Sequence, residues 1–160
     1  MASSVLLPGH RAEIRTLAVS SDDEMLLSAG HGGAKVWNVR TGNVIRSWDC
    51  GFALCSAFLP GDKIIALGTK EGKLELYDLP SSSLVDSIDA HDGHVWSLQV
   101  SPDRKGLVTG SADKSVKFWS VAVVTESIEG VEVNPSLCFC SKKEYRCEIA
   151  ITTHQDAQVS

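Results

Sequence analysis

The chain has 160 residues, a formal net charge of −5 and 43% hydrophobic residues, so it is long enough for one globular domain. Its Lys and Arg residues are scattered without a basic run, which disfavours direct contact of this chain with RNA. No apolar stretch approaches the length of a membrane-spanning helix, and the N-terminal residues carry no basic region of a secretory signal. We therefore expect an intracellular protein with no membrane partner and with reduced cysteines.

Short runs of alternating apolar residues, separated by turn residues, predict β-strands along most of the chain. In chain order these strands are residues 14–19, 25–29, 34–37, 44–47, 53–58, 64–68, 74–78, 84–88, 95–100, 106–110 and 116–120. Residues 5–7 are predicted as the outer strand of a preceding sheet that is otherwise missing. Residues 126–129 are a candidate for the outer strand of the last sheet.

A motif that ends in Trp or Tyr recurs along the strands. Trp37, Tyr77 and Trp119 are separated by 40 and 42 residues. His10 and His91 lie 27 and 28 residues before the two tryptophans, and each follows a small residue. A period of about 40–45 residues that begins with Gly-His and ends with Trp-Asp is typical of a four-stranded propeller blade of the WD-repeat family.

The repeat predicts an all-β fold, an incomplete WD-repeat β-propeller of about three four-stranded antiparallel blades in an open arc. The blades are expected over residues 5–120, with blade 1 at about 10–48, blade 2 at about 49–88 and blade 3 at about 89–129. Residues 130–160 lack the period and are predicted to form an irregular, poorly ordered tail. Four apolar residues of the inner strands are expected to fill the spaces between blades: Leu17, Val19, Leu98 and Val100.

The third repeat contains four residues that occur together in WD-repeat blades: His91, Thr109, Asp113 and Trp119. The family resemblance implies a structural hydrogen-bond chain in which the Asp holds the His, the His meets the hydroxyl and the hydroxyl meets the indole N–H. Such a chain is physically reasonable, because a buried imidazole and a buried indole both need partners.

The other two repeats keep less of this set. The first keeps His10, Ser28 and Trp37 but has no Asp. The second has a different residue at all four positions, namely Asp49, Leu67, Glu71 and Tyr77. We therefore expect blade 2 to depend on apolar packing of Phe58, Ile64, Leu74 and Leu76.

The sequence favours this structural role over a catalytic or metal-binding role for its His, Asp and Cys residues. A catalytic Asp-His-Thr relay is disfavoured, because the sequence contains no nucleophile elbow and no oxyanion motif. His91 and His94 have a spacing that metal ligands use, but His91 already has a role in the repeat. Four zinc ligands in the tail have a spacing that matches no familiar zinc module: Cys138, Cys140, Cys147 and His154. We predict no catalytic residue, no cofactor, no metal and no small-molecule substrate.

Within the WD-repeat family, several segments resemble a nucleolar member that is a subunit of the small-subunit processome. These segments are residues 7–11, 53–56, 60–62, 68–78, 88–92 and 110–119. The resemblance implies a non-catalytic scaffold in maturation of the small ribosomal subunit RNA, located in the nucleolus. Its partners would be other WD-repeat proteins and the small nucleolar ribonucleoprotein of the processome. Two alternatives stay open, a general WD-repeat adaptor in a ubiquitin-ligase or signalling complex and, less favoured, an enzyme on a propeller scaffold.

Overall fold

A computed structural model describes residues 4–120, in which every regular element is a β-strand. The strands are β1 Ile14–Val19, β2 Met25–Gly30, β3 Gly33–Asn38, β4 Val44–Trp48, β5 Ala53–Phe58, β6 Ile64–Thr69, β7 Lys73–Asp78, β8 Leu84–Asp89, β9 Val95–Val100, β10 Gly106–Ser111 and β11 Val116–Ser120. These bounds agree with the predicted ones to within one residue at each end. No helix in this described part of the chain is suited to crossing a membrane.

The strands form three separate antiparallel sheets, in which each strand pairs with its neighbour in sequence. Blade 1 is β1-β2-β3-β4, blade 2 is β5-β6-β7-β8, and blade 3 is β9-β10-β11 within the described residues. The inner strands contact one another in order, β1 with β5 and β5 with β9. The all-β arc of antiparallel blades is therefore confirmed. The predicted outer strand at residues 126–129 and the predicted tail at 130–160 lie outside the described residues.

A register irregularity at the same place shows that the three blades are equivalent. Each inner strand has a β-bulge near its start, where it pairs with the second strand of its blade. Beyond the bulge the pairs Leu17–Ser28, Ser56–Leu67 and Leu98–Thr109 occupy the same position in blades 1, 2 and 3. Blade 2 therefore has the backbone of a full repeat although its motif residues are lost.

Two apolar cores lie between consecutive blades. The core between blades 1 and 2 consists of Leu27, Ala29, Ala34, Val36, Trp48, Ala53, Phe58, Ile65, Leu67, Tyr77 and Leu79. The core between blades 2 and 3 consists of Cys55, Leu59, Ala66, Leu74, Leu76, Ala90, Val95, Leu98, Leu107 and Trp119. Because successive side chains on a strand point to opposite faces, blade 2 contributes one face to each core.

The predicted packing of the inner strands is correct for blade 3 and wrong for blade 1. Leu98 is buried between blades 2 and 3, and Val100 packs partly buried against the same core. Leu17 and Val19 are instead 62% and 54% exposed. They lie on the face of blade 1 that points away from blade 2, where no further blade is present among the described residues.

The strand predicted at residues 5–7 is also absent from the structure. Residues 4–13 contain no strand, and Val5 and Leu6 are strongly exposed. A single short strand needs a neighbouring strand to satisfy its backbone groups, and no strand of the described residues pairs with this segment, which lies against blade 1 through the His10–Ser28 hydrogen bond.

Candidate interaction surface

A hydrogen-bond chain runs through the interior of blade 3. His91 Nδ1 lies 2.9 Å from Asp113 Oδ2, and His91 Nε2 lies 2.7 Å from Thr109 Oγ1. Trp119 Nε1 donates to the same Thr109 oxygen at 2.9 Å. Every donor is used when Trp119 donates to Thr109, Thr109 donates to His91 Nε2, and His91 donates from Nδ1 to Asp113. This direction requires a neutral imidazole.

Asp113 is held in place by its own turn. Its Oδ1 accepts from Ser115 N at 2.8 Å and from Ser115 Oγ at 2.6 Å. Desolvation opposes ionisation of the carboxyl, but hydrogen bonds from Ser115 and His91 outweigh it and lower the pKa of Asp113. Ser115 was not among the residues predicted from the sequence. A hydroxyl residue two positions after an Asp in a turn is the signal that was available for finding it.

Blade 1 contains a shorter version of the chain. His10 Nε2 lies 2.7 Å from Ser28 Oγ, and Trp37 Nε1 donates to that oxygen at 2.7 Å. Burial, with a smaller contribution from the charge of Lys35, lowers the pKa of His10. A neutral His10 is the form that accepts the Ser28 hydroxyl proton, so the local environment favours the protonation state that the hydrogen bond needs.

Blade 2 has apolar packing in place of the hydrogen-bond chain. Leu67 is fully buried at the position of the hydroxyl residue, and Tyr77 Oη turns to Glu75 Oε2 at 2.9 Å. The packing predicted for this blade is present, because Phe58, Leu74 and Leu76 are buried and Ile64 is partly buried.

The positions of the hydrogen-bond chain residues and of His94 suit a structural role rather than a catalytic or metal-binding one. The Thr109 hydroxyl has 0% exposure, so no substrate reaches it. His94 Nδ1 is hydrogen-bonded to the backbone oxygen of Lys70, away from His91. The described residues contain no group of three His, Cys, Asp or Glu side chains that is arranged for a metal ion. The cysteines and histidine of the alternative zinc site lie outside the described part of the chain.

An open cleft lies at one edge of the stacked sheets. The β2–β3 and β6–β7 turns lie at this edge, together with the β4–β5 and β8–β9 segments that connect the blades. We call this edge the loop edge. The cleft measures about 610 Å³ and is lined by His31, Gly32, Cys50, Phe52, Lys70, Glu71 and His94. These residues come from blades 1 and 2 and from both connections between blades, so the cleft exists only when the blades are stacked.

Phe52 is the centre of a cation–aromatic cluster in this cleft. Lys70 Nζ and Arg15 Cζ lie 5.5 Å and 5.8 Å from the centroid of its ring. The His31 ring meets it edge-on at a centroid distance of 5.1 Å. A cation over an aromatic face is an attractive contact, and aromatic residues and Arg are enriched at protein interfaces. The cluster was missed from the sequence because its members lie on separate repeats.

Cys50 lines the same cleft but is not suited to nucleophilic chemistry. Burial, followed by the charges of Glu75 and Asp49, raises the pKa of its thiol to about 12. The reactive form of cysteine is the thiolate, so this thiol is unreactive at neutral pH.

Comparison with known proteins extends the repeat assignment. The WD domain, G-beta repeat family matches residues 3–38 and 82–120. WD repeat-containing protein 3 of Homo sapiens is 52% identical over 124 residues, which are 78% of this chain and 13% of that protein. U3 small nucleolar RNA-associated protein 12 of Saccharomyces cerevisiae is 46% identical over 130 residues, 81% of this chain and 14% of that protein. This chain therefore spans a small part of the length of these relatives.

A solved structure shows the same architecture. The structure of U3-55K superposes with a TM-score of 0.67 at 25% sequence identity, over 72% of this chain and 38% of the other. The three blades described above thus correspond to part of a longer repeat protein.

Proposed function

Because this chain is a WD40-repeat protein, we propose that it acts as a non-catalytic interaction scaffold of the kind that assembles the small-subunit processome. Its partners are then other WD-repeat proteins and the small nucleolar ribonucleoprotein, and its location is the nucleolus. The proposal concerns this three-blade segment, since the chain spans 13% to 14% of the relatives' length.

The observation that carries the proposal is the identity that continues through blade 2. The WD-repeat family match does not include residues 39–81, where the motif residues are lost. A continuous stretch of 124 residues in a chain of 160 necessarily includes blade 2. An identity of 52% across that stretch is therefore not explained by the general blade motif, and it favours a processome-type scaffold over a general adaptor.

The geometry supports binding rather than catalysis. The hydrogen-bond chain of blade 3 is buried, and Cys50 is held as a thiol, so neither supplies an accessible reactive group. The loop edge instead offers an open cleft in which Phe52 lies within 6 Å of two cations, Arg15 and Lys70. We assign the loop edge as the surface of this segment that contacts a protein partner.

Co-purification with matched charge changes tests the assignment. Lys70→Glu reverses a charge at the loop edge, and Lys63→Glu makes the same change at an exposed lysine on the opposite edge of blade 2. The tagged chain and its Lys63→Glu variant are expected to capture nucleolar WD-repeat proteins, and Lys70→Glu is expected to lose them. Capture of a ubiquitin-ligase or signalling complex instead would support the adaptor alternative. Equal capture by all three proteins would show that the loop edge is not the contact surface.

A further inference from the structure

Lys70 places an ammonium group in the loop-edge cleft without a carboxylate partner. Its Nζ lies 5.5 Å from the centroid of the Phe52 ring, and within residues 4–120 no Asp or Glu forms an ion pair with it. The residue is exposed although it belongs to blade 2, which packs against a neighbouring blade on each side. The open position of this cation is therefore a property of the stacked blades and does not arise at an end of the arc.

Two other cations of blades 1 and 2 are already paired. Arg15 makes two hydrogen bonds with Glu13 Oε1, at 3.2 Å from Nε and 3.0 Å from Nη2. Lys73 Nζ lies 3.2 Å from Asp89 Oδ1. Because the charges of these two cations are balanced within the chain, Lys70 is the cation of the cleft that keeps its charge for a partner.

The backbone of the β6–β7 turn holds Lys70 in a fixed position. Its N–H donates to the Phe52 carbonyl oxygen at 2.8 Å, and its own carbonyl oxygen accepts from His94 Nδ1. The first bond reaches the β4–β5 segment and the second reaches the β8–β9 segment, so the turn is held on both sides. A group that is positioned before binding loses less conformational entropy when a partner arrives.

The equivalent residues of the other blades show that the repeat itself needs neither the lysine nor the phenylalanine. The same backbone hydrogen bond joins His31 to Glu13 in blade 1 and Ala112 to His94 in blade 3. Three blades with the same backbone therefore have three different pairs of side chains at these positions. The pair in blade 2 is not a requirement of the fold and is free to serve recognition.

We propose that the loop-edge cleft binds an acidic segment of a protein partner, whose Asp or Glu carboxylate pairs with Lys70 Nζ and whose neighbouring apolar side chain packs beside Phe52. The inference rests on the proposed function, since it names the chemistry of the partner at the surface assigned there. The aromatic ring stabilises the ammonium group without accepting all of its N–H donors. The remaining donors are available to a carboxylate, and a charged acceptor forms a stronger hydrogen bond than a neutral one.

Glu71 is the acidic residue of the cleft, and it distinguishes an acidic partner from a basic one. It is exposed, and its Oε2 lies beside Gly51, where an added Cβ would be 3.4 Å from it. A partner carboxylate at Lys70 is repelled by Glu71 across the cleft, whereas a basic partner would be attracted to it. Neutralising Glu71 is therefore expected to strengthen binding of an acidic segment, and neutralising Lys70 is expected to weaken it.

Capture at a series of salt concentrations measures these two opposite effects. The tagged chain and its variants are compared for recovery of nucleolar WD-repeat proteins from one extract. Lys70→Gln is expected to lower the recovery about threefold, Lys70→Arg to retain it and Glu71→Gln to raise it. Lys63→Gln, at an exposed position on the opposite edge of blade 2, is the matched control. Unchanged or higher recovery with Lys70→Gln would overturn the proposal, and higher recovery would show a basic partner.

Zero-length cross-linking identifies the chemistry of the contact directly. A carbodiimide joins a lysine amine to a carboxylate as an amide, with loss of water, where the two groups touch. Mass spectrometry is expected to find Lys70 joined to an Asp or Glu of the captured partner, and to find no such product for Lys63. A captured partner without this cross-link at Lys70 would overturn the proposal and leave the proposed function standing. An eluate without nucleolar WD-repeat proteins would overturn the proposed function and this inference with it.

Ribonuclease treatment distinguishes a protein partner from RNA in the cleft. The acidic segment is expected to stay bound after the treatment, because the contact is between two proteins. Loss of the captured proteins, together with no carboxylate cross-link at Lys70, would assign the cleft to RNA and would overturn the proposal.

Discussion

The hydroxyl of Thr109 accepts one hydrogen bond and donates another, which connects the tryptophan of β11 to the histidine that precedes β9. The hydrogen-bond chain ends on Asp113, whose position is fixed by two hydrogen bonds from Ser115. Each group has a defined partner, and loss of one leaves a buried polar atom unsatisfied. We propose that this network fixes the register of blade 3, as the partial network of His10, Ser28 and Trp37 does in blade 1.

Removing members of the network is expected to destabilise the protein to different extents. Trp119→Ala deletes a large buried side chain and leaves Thr109 without its donor, at a cost of about 3–5 kcal/mol. His91→Ala is expected to cost about 1–3 kcal/mol, because Thr109 and Asp113 lose a partner. Urea unfolding measures both, and Val5→Ala at an exposed position is the control. Midpoints equal to that of the control would contradict a structural role.

The lowered pKa of His10 predicts a dependence of stability on pH. In the unfolded chain the imidazole has a pKa of about 6.5, so the unfolded state binds the proton first as the pH falls. The free energy of unfolding is therefore expected to decrease as the pH is lowered through that value. The stabilising effect of the lowered Asp113 pKa is lost only near and below the ordinary Asp value of about 3.9, in a separate range.

Unfolding in urea at pH 7.5 and at pH 5 measures the effect. His10→Gln has no titrating group at this position, so it is expected to lose less stability between the two pH values than the wild type. An undiminished loss in His10→Gln would mean that other groups cause the pH dependence.

At the scale of strands and turns, the β6–β7 turn of blade 2 is hydrogen-bonded to the β8–β9 segment that leads from blade 2 to blade 3. The backbone oxygen of Gly72 accepts from Ala90 N at 3.0 Å and from His91 N at 2.9 Å. Gly72 has a φ of +84°, and a Cβ at this position would lie 2.2 Å from the backbone oxygen of His91. A glycine is therefore required here both by the backbone conformation and by the close approach of the next blade.

Substitutions at two glycines separate the effect of the positive φ from the effect of the close contact between blades. Gly61 also has a positive φ, +91°, but a Cβ there meets nothing within 4 Å. Gly61→Ala is expected to cost roughly 1–2 kcal/mol of backbone strain. Gly72→Ala adds the clash with His91, so its cost is expected to be clearly larger. Urea midpoints of the two variants decide the point, and equal losses would contradict the close contact between blades.

The sequence predicted the strands well because they depend on local alternation and turn residues. Even blade 2 was found, since the apolar pattern around Leu74 and Leu76 persists where the motif residues are lost. The burial of Leu17 and Val19 was predicted wrongly, because it depends on a neighbouring blade and not on the strand itself. The cluster of Arg15, Phe52 and Lys70 was not predicted, because three-dimensional stacking brings these distant residues together.

At the scale of the whole molecule, blade 2 is the only blade covered on both faces by blades described in the structure. Stacked repeats take much of their stability from their neighbours, so the two interblade cores are expected to hold the arc together. Apolar side chains remain exposed at both ends of the described arc, Leu17 and Val19 on blade 1 and Val116 and Phe118 on blade 3. A stacked arc with a loop-edge cleft and buried polar networks is suited to holding partners, which is the role that we propose.

Sedimentation of cell extracts tests this role most directly. The tagged chain, expressed in the organism that makes it, is fractionated on a density gradient, and U3 small nucleolar RNA is quantified in each fraction and in the tagged eluate. The scaffold role predicts that the chain sediments in large particles together with this RNA, and that the RNA is enriched with the tag. Recovery of the chain only in light fractions without U3 small nucleolar RNA would contradict the account.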